Sequence, residues 1–265
     1  MYDFTYHRPK SVAEALGLLK GKPEARPMSG GMTLIPTLKL RLAKPSDVVD
    51  LGGIKELAGI KVEGGNVTIG GMTRHADVAT SADVKSNIPA LAYLAGHIGD
   101  PQVRNRGTMG GSVANNDPAA DYPAAVVALN ATVTTNTRKI PADSFFKGLF
   151  ETALGEGELI TAISFPKAEK AAYMKFPNPA SRYAMVGVFV AKTAGGVRVA
   201  VTGAGPSVFR VKAMEDALAK NFSSAAIKDI KIPADGLNSD IHASAEYRAH
   251  LVGVMARRAV DAANK

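Results

Sequence analysis

Apolar and polar positions along the chain change period several times, and each change predicts an element. Residues 2–7, YDFTYH, alternate with the two-residue period of a strand. Residues 11–21 follow with Leu16, Leu18 and Leu19 as apolar positions, Ser11 and Glu14 as a capping box and Gly21 as a stop, which predicts a helix. A short strand over 24–29 comes next, then a helix over 33–43 in which Pro36 is tolerable because it lies in the first turn, then a strand over 46–51. A second section opens near Gly53. Its pattern predicts a hairpin turning at Gly64–Gly65, a helix from about Thr73 and a second helix opened by Pro89. Pro118 or Pro123 opens another helix through AAVVALN, capped by Asp117 or Asp121, and strands follow over 131–141 and 157–166.

The charged, poorly patterned run PKAEKAA (166–172) marks a boundary. Beyond it the pattern predicts two strands joined at Gly195–Gly196 and helices near 212–220 and 244–263. In the last helix Tyr247, Leu251, Met255 and Ala259 recur at four-residue spacing and form one apolar face, whose simplest use is packing.

Two stretches fit neither period. DPQVRNRGTMGGSVANNDPAADYP (100–123) is too rich in glycine and polar residues for core and reads as an irregular, backbone-exposing loop. PMSGGMTLIP (27–36) is a shorter echo. Paired glycines flanked by Ser or Thr let backbone N–H groups converge on an anion, and a helix start adds its dipole. One such loop could cradle one phosphate, and two could cradle a pyrophosphate, as in FAD, NAD or coenzyme A. A plain turn is the competing reading of each. Neither loop has the G-x-x-x-x-G-K-[ST] or the G-x-G-x-x-G pattern, which disfavours a P-loop or a Rossmann site.

Composition narrows the chemistry. The 265 residues are 46% hydrophobic and 21% charged, an ordinary globular balance. No cysteine is present, which excludes disulfides, thiol catalysis and iron–sulfur clusters held by this chain. The five histidines are scattered without metal-ligand spacing, so no metal site is expected. The net charge of +8 reads as a solvated basic surface; no RNA-binding aromatic signature accompanies it, and no nucleic acid is expected. No apolar run approaches the ~18 residues of a membrane span. The N-terminus lacks an apolar signal core, so the cytoplasm is the expected location.

The stretches SGGMTLIPTLKLRLAKPSDVVDL and IGDPQVRNRGTMGGSVANNDPAADYP together resemble the FAD-binding medium subunit of molybdenum hydroxylases, the family of carbon monoxide dehydrogenase and the xanthine dehydrogenase flavin domain. The resemblance extends through YMKFPNPASRYAMVGV (173–188) and SDIHASAEYRAHLVGVMARRAV (239–260). It implies an α+β protein with a vanillyl-alcohol-oxidase-type FAD-binding fold. Two α/β subdomains (about 1–53 and 54–168) would clasp FAD, and residues 169–265 would form a C-terminal domain with a three-stranded antiparallel sheet and helices.

The resemblance also assigns residues. Ser29, Gly30, Gly31, Met32, Thr33 and Leu34 would bind the pyrophosphate, together with Thr108, Gly110, Gly111 and Ser112. Asp121 would hold the nucleoside end, with Asn116 and Asp117 close enough to share that work; a helix cap is the alternative reading of Asp117. Ile98 and Ile160 would pack against the flavin ring and Tyr183 would shield it. Lys175 would lie near the flavin carbonyls. With no cysteine, and no histidine in either loop, FAD would be held non-covalently. The implied role is an electron-transfer subunit without catalytic acid–base residues of its own. Its partners would be a large molybdopterin-binding subunit and a small subunit with two [2Fe–2S] clusters, in a dimer of heterotrimers. The molybdopterin and [2Fe–2S] groups belong to those partners. A stand-alone flavin-dependent oxidoreductase of the same fold is the alternative.

Overall fold

The computed structural model describes all 265 residues, and they form three layers of mixed helix and sheet. The first begins with β1 (Thr5–His7), α1 (Val12–Leu19), β2 (Arg26–Met28), α2 (Leu34–Lys39) and β3 (Asp47–Asp50). Both β1 and β2 pair with β3 in parallel, in the order β1-β3-β2. Ser11 caps α1 by accepting from the Glu14 N–H at 3.2 Å. The second helix is much shorter than its apolar pattern: Arg41 takes φ 58° and turns the chain out of helix, leaving Leu40 and Leu42 exposed.

The second layer is an antiparallel sheet with helices packed over it. Its elements are β4 (Ile60–Glu63), β5 (Asn66–Gly70), α3 (His75–Thr80), α4 (Ala82–Asn87), α5 (Pro89–Gly96), α6 (Pro101–Arg106), α7 (Met109–Asn115), α8 (Tyr122–Ala128), β6 (Thr132–Thr135), β7 (Lys139–Pro141), α9 (Ala142–Phe145), β8 (Phe146–Gly148), β9 (Glu151–Thr152) and β10 (Ile160–Pro166). The sheet order is β4-β5-β10-β6-β7, and β8 and β9 form a separate hairpin. The expected hairpin at Gly64–Gly65 forms, both glycines having positive φ. The single helix expected from Thr73 is two, because Ser81 leaves helical geometry and caps α4 through the Val84 N–H.

The third layer contains β11 (Lys170–Pro177), β12 (Ala184–Thr193), β13 (Gly196–Thr202), β14 (Phe209–Arg210), α10 (Lys212–Lys220) and α11 (Ala245–Ala263). Its antiparallel sheet has four strands in the order β11-β12-β13-β14, one more than expected; the fourth is only two residues long and carried no periodic signal. Strand β12 is buried on both faces. Val186, Val188 and Val190 join Leu251, Met255 and Ala259 of α11, whereas Phe189 and Ala191 join the core around α5 and α8. Alternation along one strand therefore welds the C-terminal layer to the middle one. Tyr247, placed on the apolar face by its spacing, is 45% exposed, and its neighbour Arg248 is buried instead.

Candidate functional site

A single groove gathers most of the residues that the two glycine stretches offered. Its floor is built from backbone. Residues 71–75 run antiparallel to 107–110: the Gly110 N–H donates to the Gly71 carbonyl at 2.8 Å, Met109 to Thr73 at 3.0 Å and His75 to Gly107 at 3.0 Å. Glycine permits this closeness. A Cβ on Gly110 would stand 2.7 Å from the Gly71 carbonyl oxygen, and one on Gly71 would collide with the Ile160 carbonyl.

The N-terminal stretch docks onto this floor. A Cβ on Gly30 would strike the Arg106 carbonyl, so only glycine fits there. The Ser29 and Thr108 hydroxyls meet at 2.6 Å, and Ser29 also donates to the Met72 sulfur at 2.9 Å. Thr108 caps α7, accepting from the Gly111 N–H at 3.2 Å.

Between these pieces lies a cavity of about 610 Å³. Ser29, Gly30, Gly31, Met32, Thr33, Leu34, Ile98, Thr108, Gly110, Gly111, Ser112, Asp117, Asp121, Ile160 and Tyr183 all line it. Asn116 and Lys175 do not. Asn116 takes φ 45° at the end of α7, and its side-chain amide donates to the Gly148 and Glu151 carbonyls at 2.8 Å, bracing the β8–β9 hairpin. Lys175 lies one step behind the wall, its Nζ 2.9 and 3.1 Å from the two Asp121 oxygens and 2.9 Å from the His97 carbonyl.

That ion pair corrects an expectation. The resemblance put Asp121 and Lys175 at opposite ends of an extended dinucleotide, yet their side chains are in contact. Ile98, which follows His97, and Tyr183 line the cavity with Asp121. Asp121 stands at the N-cap position of α8, as one reading suggested, but its side chain makes no capping bond. Its carboxylate accepts instead from the Tyr173 hydroxyl at 2.6 Å. Asp117 is no cap either; it accepts from the Ala119 N–H at 2.8 Å within a turn.

The long stretch is also less irregular than expected, since α6 and α7 occupy most of it and Gly110 and Gly111 sit in the first turn of α7. Its Arg104 donates to the Ile98 and Gly99 carbonyls at 3.1 Å and braces the turn.

The backbone donors of the two stretches differ. The N–H groups of Gly30, Gly31, Met32 and Thr33 have no acceptor within the chain. Those of Met109, Gly110, Gly111 and Ser112 are all engaged. The free row includes a left-handed glycine, Gly31 at φ 75°, and leads into α2. Successive unpaired amides around a left-handed residue can converge on an anion. An open glycine surface at Gly111, whose absent Cβ would crowd the Ser29 and Thr108 side chains, faces the same cavity.

The charged groups around the cavity are largely paired. Burial raises the Asp121 carboxyl above the usual range, with Lys175 and Tyr173 opposing the shift. Arg138 holds Glu158 well below that range. Asp100 accepts from the Val103 N–H at 2.8 Å and caps α6. His75 is buried, its pKa is pushed down to about 4 by desolvation, and its Nδ1 has no partner.

His75, Gly71 and Met72 are cavity residues that the sequence reading passed over. A signal was present: Gly-Gly-Met-Thr occurs at 30–33 and again at 70–73. The second copy forms the floor on which the first is seated.

Comparison with known proteins shows the family. Residues 2–168 match the family profile described as the FAD binding domain in molybdopterin dehydrogenase, and residues 171–263 match the CO dehydrogenase flavoprotein C-terminal domain. The chain belongs to this flavoprotein family of molybdopterin dehydrogenases. Among its relatives, the glyceraldehyde dehydrogenase medium chain of Sulfolobus acidocaldarius is 36% identical, with 97% of each chain covered. The carbon monoxide dehydrogenase medium chain of Hydrogenophaga pseudoflava is also 36% identical, covering 98% of this chain and 96% of its own. In three dimensions the chain superposes on the cyanide-inactivated Cu,Mo-CO dehydrogenase with a TM-score of 0.90 at 34% identity, covering 99% of this chain and 98% of that one.

Proposed function

We propose that this protein is the FAD-carrying electron-transfer subunit of a multi-subunit molybdenum hydroxylase. It would receive electrons from a [2Fe–2S] subunit and pass them to an external acceptor. Molybdopterin would reside in a separate large subunit, and the assembly would be a dimer of heterotrimers in the cytoplasm. Residues 1–168 form the FAD-binding part in this reading, with vanillyl-alcohol-oxidase-type subdomains about 1–53 and 54–168, and residues 169–265 form the C-terminal domain.

The row of free N–H groups from Gly30 to Thr33 carries the site assignment. Four successive donors at one wall of a cavity suit the two charges of a pyrophosphate. Ser29, Thr108 and Ser112 add hydroxyls there. Gly110 contributes close packing in place of a donor, because its N–H is already engaged. Ile98, Ile160 and Tyr183 offer apolar cover for the ring, and Asp121, backed by Lys175, supplies a polar edge beside them. Asn116 holds the β8–β9 hairpin in place and has no direct contact in this assignment.

Bound FAD supplies the ability to take electrons singly and release them to a different partner. The chain's residues hold it, shield it and set its surroundings. The carboxylates around the cavity have partners, and its one histidine is buried and neutral, which favours a relay over a stand-alone oxidase with its own acid–base chemistry.

The test is retention of FAD in Gly31→Asp and Gly111→Asp. Each introduces a carboxylate where the pyrophosphate would lie, and each is expected to purify folded by circular dichroism but without flavin absorbance. Full flavin occupancy in both folded variants overturns the assignment.

A further inference from the structure

Helix α2 ends on a turn that displays leucine instead of hiding it. Arg41 takes φ 58°, its N–H donates to the Leu38 carbonyl at 3.1 Å, and the Leu42 N–H donates to the Thr37 carbonyl at 3.0 Å. This is the paired bonding of a Schellman stop, in which the left-handed residue is usually glycine and the residue after it packs back on the last turn. Here the left-handed residue is arginine, the position that would receive Leu42 is Thr37, and Leu42 stays outside. Leu40 and Leu42, on either side of Arg41, are 70% and 74% exposed.

The N-terminus is drawn to the same place. The Arg41 guanidinium lies 5.6 Å from the centroid of the Tyr2 ring and the Lys44 ammonium 5.5 Å from it. Met1 and Tyr2 are exposed as well. Lys39, Arg41 and Lys44 have no carboxylate partner, and the exposed Asp3 pairs with none of them. Other basic residues of this layer are paired: Arg8 lies 3.8 Å from Asp50 and Lys22 2.8 Å from Asp47. The segment 39–44 thus presents apolar side chains among uncompensated cations.

Those features select the occupant. Exposed leucines on a hydrogen-bonded turn suit the centre of an interface, and unpaired cations around them suit carboxylates on the other side. A second copy of the chain would bring like charges together. Position narrows the choice further. Helix α2 follows directly on the amide row Gly30–Thr33 and is six residues long, about 9 Å of helix. A protein seated on Leu40–Lys44 therefore stands beside the cofactor cavity, where a subunit that delivers electrons has to stand. We propose that this surface docks the [2Fe–2S] subunit, through an apolar patch on that subunit bordered by Asp and Glu side chains. The identity of the partner rests on the proposed function; the docking surface itself does not.

The test uses the chain co-expressed and assembled with its molybdopterin and [2Fe–2S] partners, with flavin content measured separately by absorbance. p-Benzoylphenylalanine placed at Leu42 is expected to photocross-link to the [2Fe–2S] subunit. Leu42→Asp is expected to weaken assembly at least about tenfold. Its flavin content and circular dichroism are expected to stay unchanged, because the side chain it replaces is exposed. Arg41→Gly keeps the left-handed turn and removes the cation; it is expected to slow association and to flatten its dependence on salt.

A cross-link from position 42 to the molybdopterin subunit or to a second copy of the chain overturns the proposal, as does an intact complex with no cross-link there. Unchanged assembly in Leu42→Asp overturns it too. Binding of the free chain to phosphatidylglycerol vesicles, abolished in Leu42→Asp while assembly stays intact, would assign the surface to a membrane and overturn the partner class. A chain that cross-links to the [2Fe–2S] subunit but purifies without flavin rejects the FAD reading and leaves this one standing. A chain that forms no complex rejects both.

Discussion

The two glycine pairs, Gly30–Gly31 and Gly110–Gly111, look interchangeable as text and are opposites in the fold. The first sits in a turn with a left-handed residue and leaves four N–H groups free. The second lies in a helical turn with every neighbouring N–H engaged. One pair leaves backbone N–H groups without acceptors at the cavity, and the other lets a helix approach a strand end and brings a hydroxyl cap, Thr108, up to Ser29. Within each pair the duties divide again. Gly30 and Gly110 abut backbone, while Gly31 and Gly111 abut side chains. A glycine pair thus records that something comes close, and only the neighbours say whether it is a ligand or the protein itself.

The sharpest blow to the second stretch falls at its anchor. Asp121→Asn leaves the Lys175 ammonium buried without its counter-charge, and unfolding free energy is expected to fall by roughly 3–5 kcal/mol in urea titrations. Loss below about 1 kcal/mol would mean that water reaches the pair.

Gly30→Ala and Gly110→Ala test the packing pair. Their new Cβ atoms meet backbone that cannot swing aside, and each is expected to cost about 3 kcal/mol through forced backbone shifts. If either variant is fully stable, the close approach described above is wrong.

His75 packs beneath Gly107 and against Tyr122 of the second stretch. It is neutral when folded, with a pKa near 4 against the ordinary 6.5. The unfolded chain then binds the extra proton first. Stability is complete above about pH 6.5 and declines as pH falls toward 4, by roughly 3 kcal/mol in total from this group. His75→Phe is expected to flatten that slope in unfolding measured across this window.

Gly31→Ala probes the ligand-facing pair. Its left-handed φ costs about 1–2 kcal/mol with a side chain, but the atoms it meets belong to the flexible Ile35 side chain. FAD retention is expected to suffer more than stability. Thr108→Ala removes the α7 cap and the hydroxyl contact to Ser29, an effect of about 1 kcal/mol on stability. A loss of FAD without that loss of stability would assign Thr108 to the ligand alone.

Local rules were legible where one element obeyed one period. The Ser11 cap, the Gly64–Gly65 hairpin and the Pro89 helix start are short-range matters of dihedral preference and capping, and they stand as read. The family was legible for a related reason: both glycine stretches survive as continuous text. Burial was less so. Tyr247 fitted the apolar spacing of α11 but is 45% exposed, whereas Arg248 is inside because two backbone carbonyls and Asp240 receive it. No periodicity encodes a guanidinium's distant acceptors.

The sequence alone determined the period of each element, the positions that require glycine or proline, the absence of thiol chemistry, and membership of a flavoprotein family. Those properties reside in single residues or short windows. The tertiary structure decided which N–H groups remain free, that Lys175 pairs with Asp121 behind the cavity wall, that Asn116 faces the β8–β9 hairpin, and that Tyr183 lines the groove. Each depends on residues far apart in the chain meeting within hydrogen-bonding distance, and a hydrogen bond is a property of the pair.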